Sequence, residues 1–323
     1  MPGYPVTVVA DRSPFISTGH TQRRADARRR RRRRRIIALS AALALTAGAI
    51  IAVEGFGPAG TTRIARASEP APPPAAPHPA VRVPVTPPSG SATIGRLIQL
   101  GRPIYCAGPR GHAVAFTFDD GPGPYTSLAL RKLARARERA TFFVVGRSAD
   151  NFPGYLPREL KVAAIGDHTY THPQLTALSP SMVTWQLEHT AKKITAESGE
   201  HVELFRPPYG LHNAVVDGIA RHLGLLEILW DVDSADSLGA NYAQIIRTVE
   251  AGLRPGAIIL MHENHGQTMR ALGTLLPELH RRHLQSVSVP ELLAMDPPSV
   301  SQIRKGQAGC GVAASVARAG TGA

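Results

Sequence analysis

Two aspartates stand side by side at the end of an alternating apolar run, in "HAVAFTFDDGPGP" at residues 112–124. Side chains alternate faces along a strand, so Asp119 and Asp120 can serve one site only where the chain is already leaving its sheet. Asp-Gly-Pro alone is ordinary turn chemistry. Further on, "GDHTYTH" places His168 and His172 four residues apart, which brings two imidazoles to one side of a helix or tight loop, and Pro173 favours the loop. Two histidines and one carboxylate make a divalent-metal site of the open, catalytic kind, with zinc the expected ion. One aspartate would complete that set and the other would stay free as a base.

Three further segments carry acid/base groups. Arg206, in "RPPYG", can hold a neighbouring carboxylate ionised and fixed. Tyr209 follows two prolines in a rigid turn whose backbone N–H can face a developing oxyanion. "WDVDSAD" supplies Asp231, Asp233 and Asp236, and "LMHENH" supplies His262, which paired with a carboxylate would be a tuned proton donor. With 13 histidines, a pair at spacing four arises readily by chance. The weight rests on convergence, and the other histidines, His212 and His265 among them, have no assigned task.

Convergence requires a scaffold. Short apolar runs begin at 113, 140, 162, 202, 225, 257 and 285, and amphipathic stretches separate them at 126–139, 181–198, 213–223, 242–253 and 268–283. Strands alternating with helices predict an α/β fold with a parallel sheet, here a distorted, incomplete (β/α) barrel of about seven parallel strands; a doubly wound open sheet is the alternative. Five of the runs end on the residues named above. In parallel α/β folds the C-terminal strand ends share one face, and that face carries the chemistry.

The ordered set "TFDDGP", "HTYTH", "RPPYG", an Asp-rich segment and "LMH" resembles the NodB-type polysaccharide deacetylases, carbohydrate esterase family 4, over residues 100–295. The resemblance implies a metal-dependent hydrolase that removes N-acetyl groups from an amino-sugar polysaccharide, peptidoglycan or chitin-like, and releases acetate. By position it implies Asp119 as general base, Asp120, His168 and His172 as metal ligands, and Arg206 as the group orienting Asp119. It also implies the Tyr209 N–H in an oxyanion hole and His262 as general acid. Asp233 is the expected partner of His262, with Asp231 and Asp236 close enough to compete. The family commonly has tryptophan after the last aspartate of the fourth motif, where this chain has Ser237. That departure concerns the sugar groove, and it motivates the alternative of a catalytically silent glycan-binding module on the same fold.

The net charge of +13 would suit a nucleic-acid binder were it spread over a surface. Instead eleven arginines lie within residues 1–35, eight of them consecutive from Arg28 to Arg35, directly before 18 uncharged residues at 36–53. That order predicts a cytoplasmic tail (1–35), a single transmembrane signal-anchor (36–53), a Pro/Ala-rich linker (54–92), an exported catalytic domain (93–298) and a flexible tail (299–323). Signal cleavage near "ARA" at 65–67, giving a secreted form, is the alternative. No nucleic-acid partner is expected, and a monomer is. Export makes a disulfide between the two cysteines, Cys106 and Cys310, the expected state.

Overall fold

Strand and helix alternate through the domain as the apolar periodicity requires. The structure, a computed structural model, describes residues 90–311. The arginine tail, the apolar span 36–53 and the linker up to residue 89 lie outside the described residues. Among the described residues no helix is long and apolar enough to cross a membrane. The elements in order are α1 (Gly90–Gln99), β1 (Ala113–Gly121), α2 (Thr126–Ala136), β2 (Ala140–Val144), α3 (Gly146–Asn151), α4 (Leu156–Glu159), β3 (Ala163–Asp167), α5 (Pro180–Ser198), β4 (Leu204–Phe205), α6 (Ala214–His222) and β5 (Leu226–Glu227). There follow β6 (Val232–Asp233), α7 (Tyr242–Gly252), β7 (Ile258–His262), α8 (Gly266–Arg281), β8 (Gln285–Ser286), α9 (Val289–Met295) and α10 (Val300–Lys305).

The sheet runs β5-β4-β3-β2-β1-β7-β6 with every pairing parallel, and β8 pairs with the start of β1. It is a curled, incomplete barrel, as expected, and not a flat doubly wound sheet. The first strand is central. Its Val114, Phe116 and Phe118 face the outer core with Phe142, Phe205 and the helices α2, α5, α7 and α8. Ala113 and Ala115 face the concave side, packed with Phe143, Leu204, Ile228 and Ile258. Strand periodicity carries Thr117 and Asp119 onto that same concave side, so the greasy strand and its acidic exit are one pattern.

The bottom of the concave side is plugged by elements that the sequence pattern hid. Ile94 and Leu97 of α1, Val289, Leu292 and Leu293 of α9 and Ile303 of α10 all bury into it. Two expected boundaries therefore move. The linker gives way to α1 at Gly90, and the stretch from Ser299 to Cys310 is ordered rather than a flexible tail. The reason is local: Ser299 and Gln302 form a reciprocal capping box that starts α10, Ile303 anchors it, and Cys310 is bonded to Cys106. Gly- and Ala-rich composition masked one buried side chain and one covalent bond. The segment Ile104–Cys106 spans the gap in the sheet, bridging to Ile228 on one side and to Ala257 on the other.

The disulfide Cys106–Cys310 closes this end, with Cα atoms 5.9 Å apart and 204 residues between them in sequence. A loop of that length implies up to about 5 kcal/mol of stabilisation in the chain-entropy account. Replacing both cysteines by serine should lower the denaturant midpoint by an equivalent of about 2–5 kcal/mol. Calorimetry and urea titration of the double variant check this, and an unchanged midpoint would refute it.

Candidate active site

The strand exits assemble one cluster. Asp120 adopts a left-handed backbone, φ 72°, and the β1–β2 register slips between Asp119 and Gly121. This bulge breaks the alternation that would otherwise send adjacent side chains to opposite faces. As a result Asp119 Oδ2 lies 3.7 Å and Asp120 Oδ1 3.6 Å from the same atom, His168 Nε2. Asp120 Oδ1 is also 3.4 Å from His172 Nε2. Gly121 has no alternative: a Cβ there would fall 1.4 Å from the buried carboxylate of Glu263.

His168 and His172 stand on a loop, not a helix. Thr169 and His172 both have positive φ, 67° and 57°. Asp167 Oδ1 accepts the Thr169 N–H at 2.6 Å, and Gln186 Oε1 of α5 accepts those of Tyr170 and Thr171, each at 2.9 Å. His168 is buried and its Nδ1–H donates to the Arg206 carbonyl at 2.7 Å, which leaves the Nε2 lone pair pointing at the aspartates. Burial pushes the His168 pKa down against the pull of Asp120, so the ring stays neutral. Asp120, His168 and His172 each offer one ligand atom, all within 4.8 Å of one another. That donor set fits a single divalent ion with open positions.

Arg206 is fully buried beneath this cluster. Its Nη1 donates to Asp119 Oδ1 and to Thr117 Oγ1, both at 2.8 Å, its Nε to the Ile228 carbonyl at 3.0 Å, and its Nη2 to the Leu229 carbonyl at 3.1 Å. The guanidinium stacks 4.1 Å from the Phe143 ring centroid. Burial raises the Asp119 pKa, and the Arg206 charge restrains that rise. Tyr209 lies on the turn Pro208–Gly210 with φ 62°, and its exposed ring meets the His172 ring edge-on at 4.8 Å.

His262 occupies the register position opposite Asp119 on the neighbouring strand β7. Its partner is Asp236, correcting the expectation of Asp233. Asp236 Oδ1 accepts from His262 Nδ1 at 2.7 Å, while Oδ2 accepts the His262 backbone N–H at 2.8 Å and the Thr268 hydroxyl at 2.5 Å. Asp233 instead accepts the Ala235 N–H at 2.8 Å, which closes a turn with Ala235 at φ 59° and swings Asp236 inward. Asp231 is spent elsewhere, on the Ile258 N–H and on Arg254. The three acids were equivalent by sequence distance, and only the turn distinguishes them. Thr268, Gln186 and Thr117 had no signal in the sequence at all, because their tasks are defined by partners 15 to 89 residues away.

Burial would lower the His262 pKa, but the Asp236 hydrogen bond and the charges of Asp119 and Asp236 outweigh it and raise it to about 9. A raised histidine pKa stabilises the fold fully below the ordinary value of about 6.5, and that contribution is lost as pH climbs through about 9. In Asp236→Asn, the His262 midpoint should fall back toward 6.5 in metal-free protein, and the extra stability at neutral pH should shrink with it. Proton NMR titration of the ring checks this; an unmoved midpoint would show that Asp236 does not set it.

Comparison with known proteins agrees with this geometry. The sequence profile described as polysaccharide deacetylase matches residues 107–228. The peptidoglycan-N-acetylglucosamine deacetylase PgdA of Listeria monocytogenes is 39% identical over 181 residues, covering 55% of this chain and 38% of that protein. The chain thus spans well under half the length of that relative. A chitooligosaccharide deacetylase of Bradyrhizobium sp. is 32% identical over 197 residues, covering 56% of this chain and 90% of that protein. Among solved structures, a CE4 family pseudoenzyme from Bacillus anthracis superposes with a TM-score of 0.57 at 30% identity, covering 59% of this chain and 68% of that one. With nine-tenths of the Bradyrhizobium protein matched in this way, the chain belongs to the polysaccharide deacetylase family.

Proposed function

We propose that the domain is a metal-dependent N-deacetylase of an amino-sugar polysaccharide, peptidoglycan or chitin-like, that releases acetate. One observation carries the reading. A carboxylate held by a buried arginine (Asp119) and an imidazole held by a buried carboxylate (His262) face each other in register across neighbouring strands, beside a His/His/Asp ligand cluster.

Asp120, His168 and His172 would hold the ion, zinc by its donor set, and a divalent ion there polarises the amide carbonyl and acidifies water. Asp119 Oδ2, left free by Arg206's grip on Oδ1, takes the proton from the attacking water. Arg206 keeps that carboxylate ionised and fixes its orientation. The Tyr209 backbone N–H donates to the tetrahedral oxyanion. His262, whose pKa the Asp236 hydrogen bond raises, gives its proton to the departing amine, and Asp236 holds its ring in the donating orientation. The substrates named for relatives, peptidoglycan and chitooligosaccharide, define the polymers to assay first.

A silent glycan-binding module is the second reading, prompted by Ser237 and by the likeness to a pseudoenzyme. It leaves unexplained why Asp119, His168 and His262 each keep a buried supporting partner, the Arg206 side chain, the Arg206 carbonyl and Asp236. The experiment that separates them compares two variants on two substrates. Asp119→Asn should retain metal and lose about 10²–10⁴-fold in turnover on both an N-acetyl amide and an aryl acetate. His262→Ala should suffer similarly on the amide but far less on the aryl ester, whose leaving group departs without protonation. Full amide turnover by Asp119→Asn, or a wild type without acetate release from any acetylated polymer, would refute the enzyme.

We further propose that residues 36–53 anchor the chain, with the arginine tail cytoplasmic and residues 54 onward outside, on the strength of the adjacent basic run and uncharged span. Protease added to intact cells should then remove the domain while sparing an epitope placed before Met1. A domain wholly protected from protease would refute that orientation, and a mature chain beginning near Ala67 would favour the secreted form.

A further inference from the structure

Among the described residues two other clusters gather metal-ligating atoms; in one, Cys106, Asp231 and Cys310, the sulfurs are spent on the disulfide, and the other is His212, Asp217 and Glu227. His212 follows the Pro208–Gly210 turn, Asp217 lies in the first turn of α6, and Glu227 ends β5 on the edge of the sheet. His212 Nδ1 is 3.0 Å from Asp217 Oδ1 and 3.7 Å from Glu227 Oε1, and the ligand atoms of all three lie within 4.8 Å of one another. Donors about 2.1 Å from a common ion sit roughly 3–4 Å apart, so these separations need only small side-chain rotations to enclose one.

Glu227 is the decisive residue. It is only 4% exposed, and neither of its carboxylate oxygens has a hydrogen-bond partner. His212 cannot resolve this as a simple cationic bridge. Its Nδ1 carries one hydrogen, and Asp217 takes it at hydrogen-bond distance. Two carboxylates then converge with one imidazole hydrogen between them; burial and the Asp217 charge push the Glu227 pKa up to about 8, so either a proton shared with Asp217 or a bound cation must relieve the pair. An ion supplies what the cluster lacks. There is also a way in: His212 and Asp217 line a cavity of about 640 Å³ that opens between the turn after α1, α6 and the end of α10.

We propose that His212, Asp217 and Glu227 form a second divalent-cation site, distinct from the one at Asp120, His168 and His172. One imidazole and two carboxylates suit zinc or manganese and leave coordination positions for water or a small anion. Arg102, Arg221, Arg304 and Lys305 line the same cavity and favour an anion there. The ion's structural effect would be to join the loop that carries Tyr209 to the sheet edge, since His212 lies three residues beyond Tyr209.

Zinc stoichiometry of the purified full-length chain tests this, measured by elemental analysis after equilibrium dialysis against Zn²⁺. The wild type should hold two equivalents, and Glu227→Gln and His212→Ala one each. His168→Ala should also hold one, and adding Glu227→Gln to it should reduce this to none. Counting the second ion in the His168→Ala background keeps the result independent of the catalytic reading. Should Glu227→Gln fail to fold, the Zn²⁺-dependent rise in Tm of His168→Ala, and its loss on adding His212→Ala, decide instead. No zinc in His168→Ala, or equal zinc in His168→Ala with and without the second substitution, overturns the site.

Discussion

The buried Arg206–Asp119 pair is the constraint on which the site depends. A guanidinium wholly removed from water is tolerable only when its donors are matched, and here four of its N–H bonds find Asp119, Thr117 and two carbonyls of the segment after β5. The same residue offers its backbone carbonyl to His168 Nδ1. One residue thus fixes the Asp119 carboxylate through its side chain and the His168 tautomer through its main chain. The two groups share a common support and cannot drift independently.

Around that support the backbone accepts strain at four of the strand exits, those of β1, β3, β4 and β6. Asp120, Thr169, His172, Tyr209 and Ala235 all have positive φ without being glycine, at a cost on the order of 1 kcal/mol each. Each left-handed residue reverses the local direction of the chain and turns a carboxylate, an imidazole or a backbone group onto the concave face. The outer core, with Phe116, Phe118, Phe142 and Phe205 wholly buried, supplies the stability that offsets this.

The alternating run before Asp119 and the amphipathic stretches after it made the parallel α/β architecture readable, because periodicity of burial survives in sequence. Asp119, Asp120, His168, Arg206 and His262 were readable too, since each lies at or just beyond the end of an apolar strand, and His172 through its spacing from His168. What was not readable depends on turn geometry or on distant partners. Asp236 prevails over Asp233 through one Asx turn. The strand β6 is two residues long and looks like loop, and α10 is hidden in a polar, Gly-rich stretch whose role rests on Ile303 and Cys310.

The bridging segment Ile104–Cys106 has a consequence for how the domain is made. It bridges to positions more than a hundred residues later in the chain, and the central strand β1 itself pairs with β7 at a similar distance. Such high contact order means that loop closure must precede the reward of pairing, so assembly is slow. Until residues 104–106 are seated, an incomplete barrel presents two open sheet edges, each a template for another chain.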